Sequence, residues 1–204
     1  RGADGKMVKD CFMARPGYVL LASDYKQLEF RVAADLADDP EMKAVFLRGE
    51  DFHQATAELI APIVWKISAA QVTKGHRRGA KTFNFGIMYG MMDSGIAERA
   101  GCSLQEAKLI RTAVLGKFKR FAAWIQECLA YTRKHGVAWT FWGGRKAHCR
   151  QLPLIKDDNQ GRRINAENST YNTPVQGTAS FYCLASVTEL VKWILKTRID
   201  AKLV

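Results

Sequence analysis

The sequence has little of what marks secreted, metal-ribbon or membrane-spanning chains. Its 204 residues include five cysteines, Cys11, Cys102, Cys128, Cys149 and Cys183, and no two of them form a CxxC pair. An odd, scattered set argues against a disulfide framework and a zinc ribbon and suits a reducing compartment. Apolar runs are short, as at Val19 to Ala22 and Phe121 to Ile125, so no stretch is long enough to span a bilayer as a helix. No basic, apolar, small-residue leader is legible, and the first residue is Arg1 rather than Met, which leads us to expect part of a longer product without a secretory signal. Internal repeats, low-complexity tracts and obvious linkers are missing too. What remains is ordinary globular material, 48% hydrophobic and 25% charged, enough for one large domain or two small ones and too apolar for wholesale disorder.

Acids are the scarce charge. Asp plus Glu total 20 against 31 Lys plus Arg, a formal net charge of +11, and such a balance points to a polyanionic partner. The distribution is sharper than the total. Residues 59–92 hold no acid but carry Lys66, Lys74, Arg77, Arg78 and Lys81, and residues 128–156 hold none but carry Arg133, Lys134, Arg145, Lys146, Arg150 and Lys156. Trp139, Phe141 and Trp142 interleave with the second run, which favours nucleic acid over a membrane face.

Periodicity and punctuation predict a buried strand over residues 17–24 ending in Asp24, then helices over about 27–37, 40–47 and 50–60, the last stopped near Pro62. A helix is expected over about 71–89 with Gly90 as its stop. Ser103-Leu104-Gln105-Glu106 has the capping-box form, and a further helix runs over 117–134, ended by His135-Gly136. Strands at 137–141 and 146–150 flank Gly143-Gly144, a hairpin signal. Helices over 162–171 and from Pro174 to about 196 follow, then the start of a strand at 201–204. The pattern reads as α+β with a helical insertion at about 41–130.

Two features carry chemistry. Arg77, Lys81, Phe85 and Tyr89 step by four, so they share one slowly turning stripe of a helix, cations first and aromatics after. That order suits a nucleoside triphosphate, with phosphates at the cationic end and base and sugar at the aromatic end; an amphipathic helix with Phe85 and Tyr89 in the core is the alternative. A unit-charge contact near 4 Å is worth at most about 4 kcal/mol at a surface-like dielectric, against roughly 0.3 to 1 kcal/mol for a helix terminus, so the named cations should dominate phosphate binding. The overlapping Gly75-His76-Arg77-Arg78-Gly79-Ala80-Lys81-Thr82 is not a P-loop: one spacer residue is missing and Ala80 stands where the nest needs glycine. The second feature is Asp24, which could serve either as a cleft-facing metal ligand for phosphoryl transfer or as a helix N-cap.

These residues also carry a resemblance. Asp24-Tyr25-Lys26-Gln27-Leu28-Glu29-Phe30-Arg31 resembles motif A of the family A DNA polymerases, usually DYSQIELR. Arg77 to Gly90 resembles motif B, RRxAKxxNFGxxYG, and Asp51-Phe52-His53 matches the D-I-H segment between them. Thr140 to Lys146 is a looser match to T-x-F-G-R-R-R, and Tyr171 to Ala179 is similar to FNxPxQGTA. The resemblance covers essentially the whole chain. It implies a right-hand polymerase, with palm at 1–40 and 131–204, an antiparallel sheet with helices, and helical fingers at 41–130. It implies template-directed DNA synthesis in replication or repair from dNTPs on primer-template DNA by a monomer with no membrane association, in a bacterial or phage-infected cytoplasm, using two Mg²⁺ ions for which Mn²⁺ can substitute. By the same resemblance Asp24, Arg77 and Lys81 are catalytic, and Asp24 with the Tyr25 carbonyl holds metal. Tyr25, Gln27, Glu29, His53, Arg77, Lys81, Phe85 and Tyr89 would bind dNTP, Glu29 as the gate against a ribose 2′-OH, and Arg145, Asn172 and Gln176 would contact DNA.

The chain departs from the family pattern at several positions. Lys26 replaces the motif A Ser, Gly79 sits inside the motif B helix at a cost of about 1 kcal/mol relative to Ala, Trp142 and Gly144 blur one match, and Asn168 falls where many members carry Arg. Such departures suit a divergent member, for example from a phage. The motif C Asp is expected just after Val204, so these 204 residues alone are expected to lack one metal ligand, to leave the palm sheet incomplete and to be inactive. Two alternatives stay open: a non-catalytic nucleic-acid-binding module and a single-subunit RNA polymerase relative.

Overall fold

A computed structural model of the chain describes residues 7, 8, 10–139, 146–148 and 158–202, with 146–148 described by backbone alone. The described residues are mostly helical. Helix α1 (Leu28–Leu36) starts at Gln27, whose backbone is left-handed at φ 56° and gives no side-chain cap. Its apolar face buries Phe30, Val32, Ala33 and Ala34. Asp39 caps α2 (Pro40–Leu47), with Pro40 in the first turn where its missing N–H costs nothing. Asp51 caps α3 (Phe52–Val64). A single 3₁₀ turn (Ala69–Gln71) leads to α4 (Lys74–Met88), capped by Thr73. Next come α5 (Asp93–Ala100), α6 (Leu104–Lys117) and α7 (Lys119–His135). The capping box at Ser103 is complete: the Glu106 N–H donates to Ser103 Oγ, and Glu106 Oε2 accepts from the Ser103 N–H. Gly136, at φ 71°, ends α7. Strands β1 (Val137–Trp139) and β2 (Lys146–His148) pair antiparallel, Val137 opposite His148 and Trp139 opposite Lys146. The chain then enters α8 (Gln160–Thr197).

The core is a stack of rings. Phe52 lies 4.8 Å from Phe30, 5.8 Å from Phe46 and 5.0 Å from Phe118, all nearly parallel. These rings come from α1, α2, α3 and the α6–α7 junction, so one aromatic column ties four elements together. Asp39 ties two more ends. It is almost fully buried; one carboxylate oxygen accepts from the Met42 N–H at 2.9 Å, and the other accepts from the Phe121 N–H at 2.8 Å. Phe118, the N-cap position of α7, offers no side-chain cap, so a residue 82 positions before Phe121 supplies an acceptor for that helix start.

Several expectations are corrected. Residues 18–24 form no strand, and Val19 and Leu21 are 85% and 91% exposed. A strand needs a ladder partner, and no described strand lies beside this segment. Pro62 does not stop α3 but sits in its last turn, where the lost bond would go to the carbonyl of exposed Glu58. Pro174 opens no new helix; it is buried inside α8. An interior proline costs about 3 kcal/mol, and the burial of Thr170, Tyr171, Val175, Thr178 and Ala179 around it, with α8 packed on α1, α7 and β1, outweighs that cost. Asp24 is not a helix N-cap; Gln27 occupies that position. Residues 201 and 202 are not in a strand. Among the described residues the expected sheet is represented by the β1–β2 pair alone; the expected Gly143-Gly144 turn and residues 140, 141, 149 and 150 of the expected strands lie outside them.

Asp39→Ala should remove an acceptor at both helix starts and leave the Phe121 N–H buried without one. We expect a loss of about 2 to 4 kcal/mol, read as a lower urea midpoint at unchanged m-value; a loss below about 0.5 kcal/mol would mean the double cap is not structural.

Candidate active site

The site is built on α4, and its placement begins with Asp51. As N-cap of α3, Asp51 accepts from the backbone N–H groups of His53 at 2.9 Å and Gln54 at 3.0 Å. Its other oxygen accepts from the Arg77 guanidinium at 2.6 Å. Burial pushes the Asp51 carboxyl up, but the Arg77 hydrogen bond, the Gln54 N–H and the Arg77 charge outweigh it and hold it down at about 2. Arg77 is therefore anchored, half-exposed, at the start of the stripe. Four residues on, Lys81 is exposed, with its ammonium 5.7 Å from the centre of the Phe85 ring, and makes no ion pair among the described residues. Gly75 to Thr82 lie in the α4 helix, so no backbone nest exists there.

His53 lies beneath the stripe. It is 2% exposed, its Nδ1 is 3.0 Å from Asn84 Nδ2, and its ring meets Phe30 edge-on at 5.1 Å. With the Asn84 amide donating, Nδ1 is the unprotonated nitrogen. Burial lowers its pKa to about 4; nearby Asp51 opposes this, while Arg77 and Lys81 add to it. The imidazole is thus neutral at pH 7 and faces the core. Phe85 is half-buried, edge-on to Phe30 at 5.0 Å and stacked on Tyr89 at 6.0 Å, so it belongs to both the aromatic column and the stripe.

The aromatic end closes with residues far apart in sequence. The Tyr89 hydroxyl lies near the Glu29 carboxylate on α1 and near Gln176 on α8. Burial raises the phenol pKa, the nearby Glu29 carboxylate raises it further, and the Gln176 amide opposes both. Gln27 Oε1 accepts from the Phe52 N–H at 3.3 Å, tying the start of α1 to the start of α3. Asn172 is half-buried one turn before exposed Gln176. Arg145 lies outside the described residues. Asp24 and Tyr25 are exposed in the segment before α1, and the Tyr25 hydroxyl pairs with Ser186 on α8.

The structure explains one departure from the motif. A Cβ on Gly79 would come 3.3 Å from Trp65 Cζ2, and Trp65 also stacks on His76 at 4.5 Å. Gly79 lets the indole lie on α4. Three polar groups that hold the site, Asp51, Asn84 and Asn168, carry no assigned role in the sequence pattern. Asp51 has a legible signal, an Asp directly before an apolar-periodic helix; the partners of Asn84 and Asn168 are 31 and 78 residues away. As to metal, no group of three or more His, Cys, Asp and Glu among the described residues is placed to hold an ion. Asp24 and the Tyr25 carbonyl do not by themselves fit a pair of divalent cations, which take six or more oxygen ligands each.

A helix offering cations at one end and stacked aromatics at the other, closed by a carboxylate and an amide from two further helices, is suited to a nucleoside triphosphate, and the fold that carries it is that of a polymerase domain. The polymerase domain of Pol1 from M. smegmatis, solved in complex with DNA primer-template and dNTP, superposes with a TM-score of 0.82 over 98% of this chain and 34% of that one, at 25% identity. The family model described as DNA polymerase family A matches residues 1–204. DNA polymerase I of Pseudomonas aeruginosa is 31% identical over 204 residues, all of this chain and 22% of the relative. Thermostable DNA polymerase I of Thermus filiformis is 35% identical over 176 residues, 86% of this chain and 20% of that protein. The chain belongs to DNA polymerase family A. It spans about a fifth of the length of these relatives.

The His53 and Asp51 pKa values set an acid limit. His53 is depressed from 6.5 to about 4, so the unfolded chain takes up the proton first and stability falls as pH drops through 6.5 towards 4. Asp51 adds a loss between 3.8 and about 2. The His53 contribution should total about 3 kcal/mol. Urea midpoints should be flat from pH 8 to 7 and decline below 6.5, and His53→Gln should abolish the decline above pH 4.5; a decline that survives the substitution would assign it to another group.

Proposed function

We propose that the protein carrying this chain performs template-directed DNA synthesis, adding deoxynucleotides from dNTPs to a primer 3′-OH in replication or repair. The observation that carries this reading is the α4 stripe: Arg77 held by Asp51, Lys81 beside Phe85, and Phe85 stacked on Tyr89, with Glu29 and Gln176 near the Tyr89 hydroxyl. In this reading the triphosphate lies along Lys81 and Arg77. Phosphoryl transfer depends mostly on positioning and charge neutralisation, and a guanidinium held by Asp51 is already placed. The sugar lies between Phe85 and Glu29, with the Glu29 carboxylate as the group that excludes a 2′-OH. His53 supports the phosphate face from below, and a direct contact would require its ring edge to turn from Asn84. Gln27 holds the α1 start under the nucleotide.

Primer-template DNA is the proposed polyanion for the net charge of +11, with Asn172 and Gln176 on α8, and Arg145, as contacts. Residues 1–40 and 131–204 are assigned to the palm and 41–130 to the fingers. Asp24 and the Tyr25 carbonyl would hold divalent metal, Mg²⁺ or Mn²⁺, only together with further oxygen ligands, and the metal would supply charge neutralisation at the phosphates. We take the protein to act as a monomer in the bacterial or phage-infected cytoplasm; no described helix is long and apolar enough to cross a membrane.

Primer extension tests the reading. Lys81→Ala should raise the dNTP KM by at least about tenfold, the worth of one charge-assisted contact, and leave primer-template affinity nearly unchanged. A pure nucleic-acid-binding module would instead show only a salt slope lowered by about 1. Glu29→Ala should admit ribonucleotides that the wild type excludes; a wild type that prefers ribonucleotides would favour the RNA polymerase reading.

A further inference from the structure

The end of α4 is held by a pair of residues in which the chain departs from its family pattern twice. Asn168 stands where many members carry Arg, and Tyr171 stands where the FNxPxQ pattern has Phe. In the structure these two meet. The Tyr171 hydroxyl donates to Asn168 Oδ1 at 3.0 Å, and Asn168 Nδ2 donates to the Gly90 carbonyl at 3.0 Å. Tyr171 is 5% exposed, so its hydroxyl is fixed and sets which way the amide faces.

Gly90 is the receptor for this pair. Its φ is +74°, and a Cβ there would lie 2.0 Å from Asn168 Oδ1 and 2.2 Å from the Tyr171 hydroxyl. The backbone is thus pressed against both side chains in a conformation that glycine adopts without strain. The next residues are held from the other side, where Arg111 on α6 donates to the Met91 carbonyl and, at 2.5 Å, to the Asp93 carboxylate. Tyr89, one residue before Gly90, is the α4 C-cap, and its hydroxyl lies near Glu29 and Gln176. Tyr171 and Gln176 both belong to α8, so one helix grips Gly90 at one point and Tyr89 at another.

We propose that Asn168 and Tyr171 form a coupled positioning pair that fixes the end of α4 and so holds Tyr89 against Glu29, setting how strictly the site separates deoxynucleotides from ribonucleotides. Neither residue touches the nucleotide in this scheme; both act through Gly90 and Tyr89. The discrimination half rests on the dNTP-site reading above. The positioning half rests on the Asn168, Tyr171 and Gly90 contacts.

The experiment is a double-mutant cycle in the protein that carries this chain, with Asn168→Ala, Tyr171→Phe and both together, read in two ways. Amide hydrogen exchange of the 86–92 segment should speed up about fivefold in each single variant, the worth of one net hydrogen bond, and no further in the double, because the two bonds form one chain. The ratio of kcat/KM for dNTP over rNTP should fall by a similar factor in all three variants. Asn168→Asp, which can accept from Tyr171 but cannot donate to Gly90, should match Asn168→Ala. Tyr171→Phe with unchanged exchange, or single effects that add in the double, would overturn the pair. Faster exchange with an unchanged discrimination ratio would overturn the link to Glu29. A wild type that incorporates neither substrate would remove the functional reading and the discrimination half with it, leaving exchange to decide the pair.

Discussion

The Asp51 carboxylate is the constraint on which the rest of the site depends. One oxygen satisfies two orphan N–H groups at the start of α3, and the other holds Arg77 at 2.6 Å. These duties reinforce each other. Capping fixes the carboxylate in position, and a fixed carboxylate fixes the guanidinium, so Arg77 loses rotamer freedom during folding rather than on ligand binding. The same bond sets where α4 begins relative to α3, and with it the direction of the stripe. Its partly buried setting matters, because an exposed pair of this kind would contribute little.

A second consequence follows from the aromatic column. Phe52 stacks with Phe30, Phe46 and Phe118, and Phe30 meets Phe85, so the rings that fill the core reach up to the rings that line the site. His53 shares this setting as a neutral, buried base bonded to Asn84. Charge is confined to the upper face, and the layer beneath it is apolar or neutral. That layering concentrates the field of Lys81 and Arg77 on the side from which a ligand arrives. It also makes the site a continuation of the fold, because a displaced Phe30 would move Phe85 and then Tyr89.

Elements with strong local signals are legible in the amino-acid order. Asp39-Pro40, Ser103 to Glu106, Gly90 and Gly136 each mark a helix end where one is found. The stripe from Arg77 to Tyr89 follows from a spacing of four residues. Pattern and fold part where local and tertiary terms conflict. Residues 17–24 have a strand's composition but no described partner strand. Pro62 and Pro174 have the chemistry of breakers, yet both lie in helices, Pro174 with buried neighbours that compensate for a lost backbone bond. Asp24 has the chemistry of either a metal ligand or a cap, and the backbone of Gln27 excludes the cap.

The family, the charge bias and the residue types along α4 are all settled by the sequence, because they are properties of order and spacing along one chain. Which residues meet is settled by packing: Asp51 with Arg77, His53 with Asn84, Asp39 with the start of α7, Glu29 and Gln176 with Tyr89, and Asn168 with Gly90. Each of these contacts joins positions 26 or more residues apart. They form because a buried polar group must find a partner wherever the packed helices bring one within reach, and no local pattern encodes that distance.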